Sequence, residues 1–172
     1  MKLNKENIYK LENVEDIKRF IIGGKAIMTL ESKTTGRWFT YRIKKAKKDE
    51  ENSTFFVSVL TGNDNESAYT YMGTIFKGEK LKFTLTKNSK IGDSALSYKA
   101  FNFFFNLLLN NKVHNEMSIY HRGLCSVCGK SLTTPDSLKS GIGPVCEGRV
   151  GKTDIKEVRK QKLQKINRKL VK

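Results

Sequence analysis

Histidine is almost missing from this chain: two copies in 172 residues, alongside two prolines, one tryptophan and three cysteines. Two histidines cannot furnish a histidine-rich catalytic centre. Three cysteines, an odd number, cannot all pair internally, which argues against a disulfide framework and for a reducing compartment. Runs of about 18 or more apolar residues are missing too, and the opening MKLNKENIYK has no apolar stretch of the signal-peptide kind. These features predict a soluble, cytoplasmic protein with no membrane association. Acidic residues are scarce, 17 against 33 Lys and Arg, for a net charge of +16. No repeat or low-complexity linker interrupts the chain.

The scarce residues are not scattered. His121–Gly148, HRGLCSVCGKSLTTPDSLKSGIGPVCEG, holds every cysteine, one histidine and both prolines. Its spacing, H-x3-C-x2-C-x17-C, makes His121, Cys125, Cys128 and Cys146 a tetrahedral set of three thiolates and an imidazole for one structural Zn2+ per chain. Gly129 follows the Cys-x2-Cys knuckle, where positive φ is wanted, while Gly143 and Pro144 mark a helix start that puts Cys146 in its first turn. His114 competes with His121 for the fourth place, and three unmetallated buried thiols are the plain alternative to the whole site. Four protein ligands leave no open position for water activation, and one leftover histidine is too few for a nuclease centre of the His-Asn-His type. The chain therefore reads as a non-enzyme without a small-molecule substrate.

Upstream, the apolar pattern changes period. Residues 13–22 space Val14, Ile17, Phe20 and Ile21 as a helix, stopped by Gly23-Gly24. Strands are then expected at 26–31, 37–43, 54–60, 69–76 and 81–86, joined by short polar turns as an antiparallel meander. The segment 44–53, with lysines beside Asp49, Glu50 and Glu51, reads as a solvated loop. A largely apolar helix is expected to run from an Asp93 or Ser94 cap to about Asn111, covered on most sides, and a basic amphipathic helix over 153–172. The expected architecture is α+β, with a five-stranded antiparallel sheet backed by the long apolar helix. A small treble-clef or zinc-ribbon-like finger and the basic helix follow. Domain bounds fall at 1–115, 116–151 and 152–172.

Charge is uneven. Residues 121–172 hold 13 basic and 4 acidic residues, a net of +9. Arg149, Lys152, Lys156, Arg159, Lys160, Lys162, Lys165, Arg168 and Lys169 are the expected contacts to nucleic-acid phosphates, DNA or RNA. Trp38, Tyr69 and Tyr71 are candidates for stacking on unpaired bases, with packing against the helix as their plainer reading.

The pattern CxxCGKxLTTPxSLxxGIGPxC resembles the signature of a small zinc-binding family of unknown function, common in proteins of bacteriophages and some bacteria. GGKAIMTLES, FVSVLTGNDN, YTYMGTIF and SKIGDSALSYKAF resemble the β-rich part that accompanies this finger in some phage proteins, extending the resemblance over residues 20–148. It implies a metal role for Cys125, Cys128, Cys146 and His121, and no activity. A phage-encoded protein would act in the host cytoplasm. Two functions follow: a zinc-stabilised nucleic-acid-binding protein, or a factor that inhibits or redirects a host complex such as a defence nuclease, a ribonucleoprotein or the transcription machinery.

Overall fold

The structure is a computed structural model and describes residues 9–48 and 54–150. Its centre is one antiparallel sheet of seven strands: β1 (Tyr9–Lys10), β2 (Lys25–Ser32), β3 (Trp38–Lys45), β4 (Thr54–Leu60), β5 (Tyr69–Lys77), β6 (Leu81–Thr84) and β7 (Met117–His121). The helices α1 (Val14–Ile21), α2 (Leu96–Leu109) and α3 (Pro135–Ser140) accompany it, and the described residues end in a further helical stretch, 144–150. The order across the sheet is β1-β7-β2-β3-β4-β5-β6. The five expected strands form the meander β2 to β6, and the expected count is corrected by two strands. β7 returns from beyond α2 to pair with β2, and the two-residue β1 pairs with β7.

Cross-strand register sorts the side chains into two faces, since opposed residues point the same way. Met28 opposes Tyr41, Ala26 opposes Ile43, and Tyr41 and Ile43 oppose Val59 and Val57. All are buried, in one cluster with Ile17, Phe20 and Ile21 of α1 and Phe101, Phe104, Phe105 and Leu108 of α2. Both helices therefore lie on this inner face. Asn13 starts α1 by accepting a hydrogen bond from the Asp16 amide (3.1 Å), and Glu15 and Asp16 occupy the helix end whose dipole favours anions. Tyr41 donates from its phenol to the Ser97 carbonyl (2.7 Å) at the start of α2, and burial pushes that phenol far up.

α2 is shorter and less covered than expected. Its cap falls at Ala95, without a side-chain hydrogen bond, and not at Asp93 or Ser94. Leu96, Phe103 and Leu109 are exposed, so one side of the helix is packed and the other faces out. No helix among the described residues is long and apolar enough to cross a membrane.

A β-bulge shapes the other face. Val57 opposes Gly73, but the next residue, Ser58, opposes Tyr71, leaving Met72 as the extra residue. Strict alternation from Ile75, on the inner face with Phe55, would turn Tyr71 and Tyr69 inward too. The bulge reverses the parity and puts both on the outer face with Ser58 and Leu60. Gly73 makes this possible, because a Cβ there would sit 2.7 Å from both the Phe83 ring and the Thr84 carbonyl.

Candidate metal centre and the cleft beside it

β7 delivers the chain to the cysteine stretch. After His121, Gly123 turns at φ +73° against the Tyr9 ring, and a bridge between Leu124 and Ser131 closes a small loop. Within it the Cys125 amide donates to the Lys130 carbonyl (2.8 Å) and the Gly129 amide to the Cys125 carbonyl (2.9 Å). Gly129 has the expected positive φ, +80°. Pro135 opens α3 at its first turn, capped by Thr134 and Ser137 in a reciprocal capping box, and Gly141 closes it in the left-handed region. Residues 144–150 are helical, with Pro144 first and the Glu147 amide donating to the Gly143 carbonyl (2.9 Å). That places Cys146 in the first turn.

The result is one cluster. The sulfurs of Cys125, Cys128 and Cys146 all lie within 4.8 Å of one another, with Cys125 and Cys146 buried. Thiolates on a tetrahedral zinc at about 2.3 Å stand about 3.8 Å apart, so the arrangement fits such an ion with little adjustment. Electrostatics point the same way. Burial alone would raise Cys125, but amides of Gly143, Cys128 and Val127 outweigh it and hold the thiol below its ordinary value. The Gly143 contact is a hydrogen bond of 3.3 Å to the sulfur. Cys146, by contrast, is pushed up to about 11 by burial, then by its hydrogen bond with Cys128 and the charge of Cys125. Three crowded sulfurs cannot all ionise without a cation between them, and a bound metal ion would supply it.

His121 does not join them. Its Nδ1 accepts from the Gly123 amide (2.9 Å), so the proton sits on Nε2, which donates to the Leu138 carbonyl (2.8 Å). Both ring nitrogens are engaged. The buried ring stacks on Tyr9 (centroids 5.3 Å apart) and meets Phe20 at 5.8 Å. It ties β7, β1, α1 and α3 together as a neutral imidazole, and burial lowers its pKa. The structure brings the three expected cysteines together and places His121, the expected fourth ligand, outside that cluster. His114 is elsewhere, its ring edge on Phe103 and its Nδ1 accepting from the Glu116 amide.

The knuckle is fastened to the sheet. The Lys25 amide donates to the Ser126 carbonyl (2.7 Å), Lys25 Nζ reaches the Cys128 carbonyl (3.4 Å), and the Ser126 amide donates to the Gly141 carbonyl (3.1 Å). A Cβ on Gly23 would meet that Ser126 carbonyl oxygen at 2.8 Å, so glycine is what allows the close approach.

Between knuckle and sheet lies a cleft of about 660 Å³, walled by Leu124, Val127 and Gly129 on one side. Its other walls hold Lys25, Arg42, Lys44, Lys45, Lys47 and Arg122, and none of the described residues that line it is acidic. Arg122 has the cleft's one ion pair among the described residues, with Glu66 at 4.0 Å. Crowding shows in Lys44, whose amine is lowered by the charge of Arg42, then by burial and Lys47. Except for the 44–53 segment dismissed as a loop, sequence reading passed these cations by. The available signal was the alternation Arg42, Lys44 against Tyr41, Ile43 along β3. Of the cations that were expected to bind, Arg149 is exposed at the edge of the described residues. Lys152, Lys156, Arg159, Lys160, Lys162, Lys165, Arg168 and Lys169, with the helix expected over 153–172, lie outside them.

Among known proteins, the model of a family of unknown function, DUF6011, matches residues 117–151, from β7 through Cys146. No curated protein and no solved structure matches the chain.

Proposed function

We propose that this chain is a non-catalytic nucleic-acid-binding protein, phage-encoded and working in its host's cytoplasm, in which a structural zinc ion fixes one wall of a basic cleft. The observation that supports it is the cleft itself, with six cations on its walls and no carboxylate among the described residues that line it. Like charges so close repel one another, and a chain of phosphates relieves that repulsion while releasing condensed counterions. Cys125, Cys128 and Cys146 would hold the ion, whose contribution is to lock the knuckle; Lys25 and Ser126 then transmit that rigidity to the cleft.

A protein partner is the second reading. It is favoured by Leu124 and Val145, apolar side chains left exposed on the cysteine module. A salt titration separates the two. Affinity for a labelled oligonucleotide should fall steeply with salt, and replacing Lys44, Lys45 and Lys47 together by Ala should flatten the log–log slope by about 2, at about 0.7 per phosphate contact on a single strand. An unchanged slope and affinity in the triple variant would remove the cleft from the account.

A further inference from the structure

We infer that the nucleic acid this protein takes is single-stranded, and that it runs from the cleft onto the outer face of the sheet, with phosphates on Arg42 and Lys44 and bases on Phe56 and Tyr71. The inference rests on the nucleic-acid reading above and adds the form of the polymer and its path.

Register places these groups side by side. Lys44 opposes Phe56, which opposes Thr74; Arg42 opposes Ser58, which opposes Tyr71. Opposed residues stand about 5 Å apart. A cation on β3 thus has an aromatic ring one or two strands away along the same line. Phe56 and Phe76 are each 43% exposed on this face, while the inner face hides its large side chains almost completely. Neither α1 nor α2 covers them, since both pack on the other face.

The rings are also held in place. Phe56 meets Tyr71 edge-on at 6.1 Å, and the Tyr71 hydroxyl is engaged by Thr74 (2.7 Å) and Thr86 (2.9 Å). Tyr69 is fixed beneath the Arg42 guanidinium, 4.2 Å from its centroid, while Arg42 also donates to the Glu66 carbonyl (3.1 Å). Arg42 therefore stays at the boundary between cleft and platform. Rings fixed on a flat face, next to cations, suit unpaired bases, each of which offers a π-face. A duplex hides those faces inside its base stack, so rings aimed at them favour a single strand. The bulge at Met72 is what brings Tyr69 and Tyr71 to this surface.

The test uses the full chain and fluorescein-labelled 15-mers of thymidine or uridine, with a 15-base-pair duplex, by anisotropy over a series of salt concentrations, with affinities compared at equal salt. Single strands should bind at least about tenfold tighter than the duplex. Phe56→Ala, at an exposed position, should weaken single-strand binding about tenfold, from the loss of one stacked base, with the salt slope and thermal melt unchanged. Lys44→Ala should instead reduce the slope. Equal affinity for the duplex, or a Phe56→Ala protein that binds single strands as well as the parent, overturns this inference and leaves the nucleic-acid reading standing. If neither polymer binds, both fall.

Discussion

Replacing His121 by Phe separates a metal ligand from a structural tie. The ring stays about the same size and keeps its stack on Tyr9 and its contact with Phe20, so little cavity forms. What is lost is the pair of hydrogen bonds, leaving the Gly123 amide and the Leu138 carbonyl without partners. Each orphaned group costs about 1–3 kcal/mol, so a loss of about 2–6 kcal/mol is expected. For a chain of this length that lowers Tm by about 5–25 °C. Metal content by atomic emission, measured well below the melt, should remain one zinc per chain. pH supplies an independent check. Burial depresses the folded-state pKa of His121 below 6.5, so the native state holds it neutral. As pH falls below 6.5 the unfolded chain takes up a proton that the folded one refuses, and stability drops by up to about 1.4 kcal/mol per unit until the folded pKa is reached. The parent should lose this increment between pH 7 and 5.5 relative to His121→Phe. A folded His121→Phe protein that has lost its zinc would refute the reasoning and return His121 to the ligand set.

Three further outcomes follow from the same geometry. Gly23→Ala should destabilise by about 1–3 kcal/mol, because its Cβ presses on the Ser126 backbone, and a chemical-denaturation midpoint equal to the parent's would contradict that contact. Cys128→Ser should abolish zinc binding and loosen residues 121–150, read as loss of amide hydrogen-exchange protection there while β3 to β5 stay protected. Gly141→Ala meets both a left-handed φ of +73° and the Phe20 ring, so it should cost several kcal/mol and lower zinc affinity, whereas Gly36→Ala, left-handed but open, should cost only about 1 kcal/mol.

Local signals were legible where one residue type dictates one geometry. The Cys-x2-Cys knuckle, Gly129 and the Gly143-Pro144 helix start all stand as read, because each depends on neighbours a few positions away. α3 carries local signals of the same kind, in Thr134, Pro135 and Gly141. What needed long-range pairing was not legible. β7 is a five-residue strand whose place beside β2 depends on chain folded 85 residues away. Spacing offers His121 to the metal, while the hydrogen bonds it makes in the fold come from the Gly123 turn and from α3. For Tyr69 and Tyr71 the sequence leaves stacking and core packing both open, because their face depends on the bulge, and Met72 carries nothing in its own type that announces one.

On the proposed function, nucleic acid sits in the cleft between sheet and cysteine knuckle. Amide chemical shifts of the isotope-labelled chain, followed as a short single-stranded oligonucleotide is added, test it most directly. The shifts should concentrate at residues 23–25, 42–47 and 122–129 and spread onto Phe56 and Tyr71. Changes confined to residues 149–172, with the cleft unmoved, would contradict it.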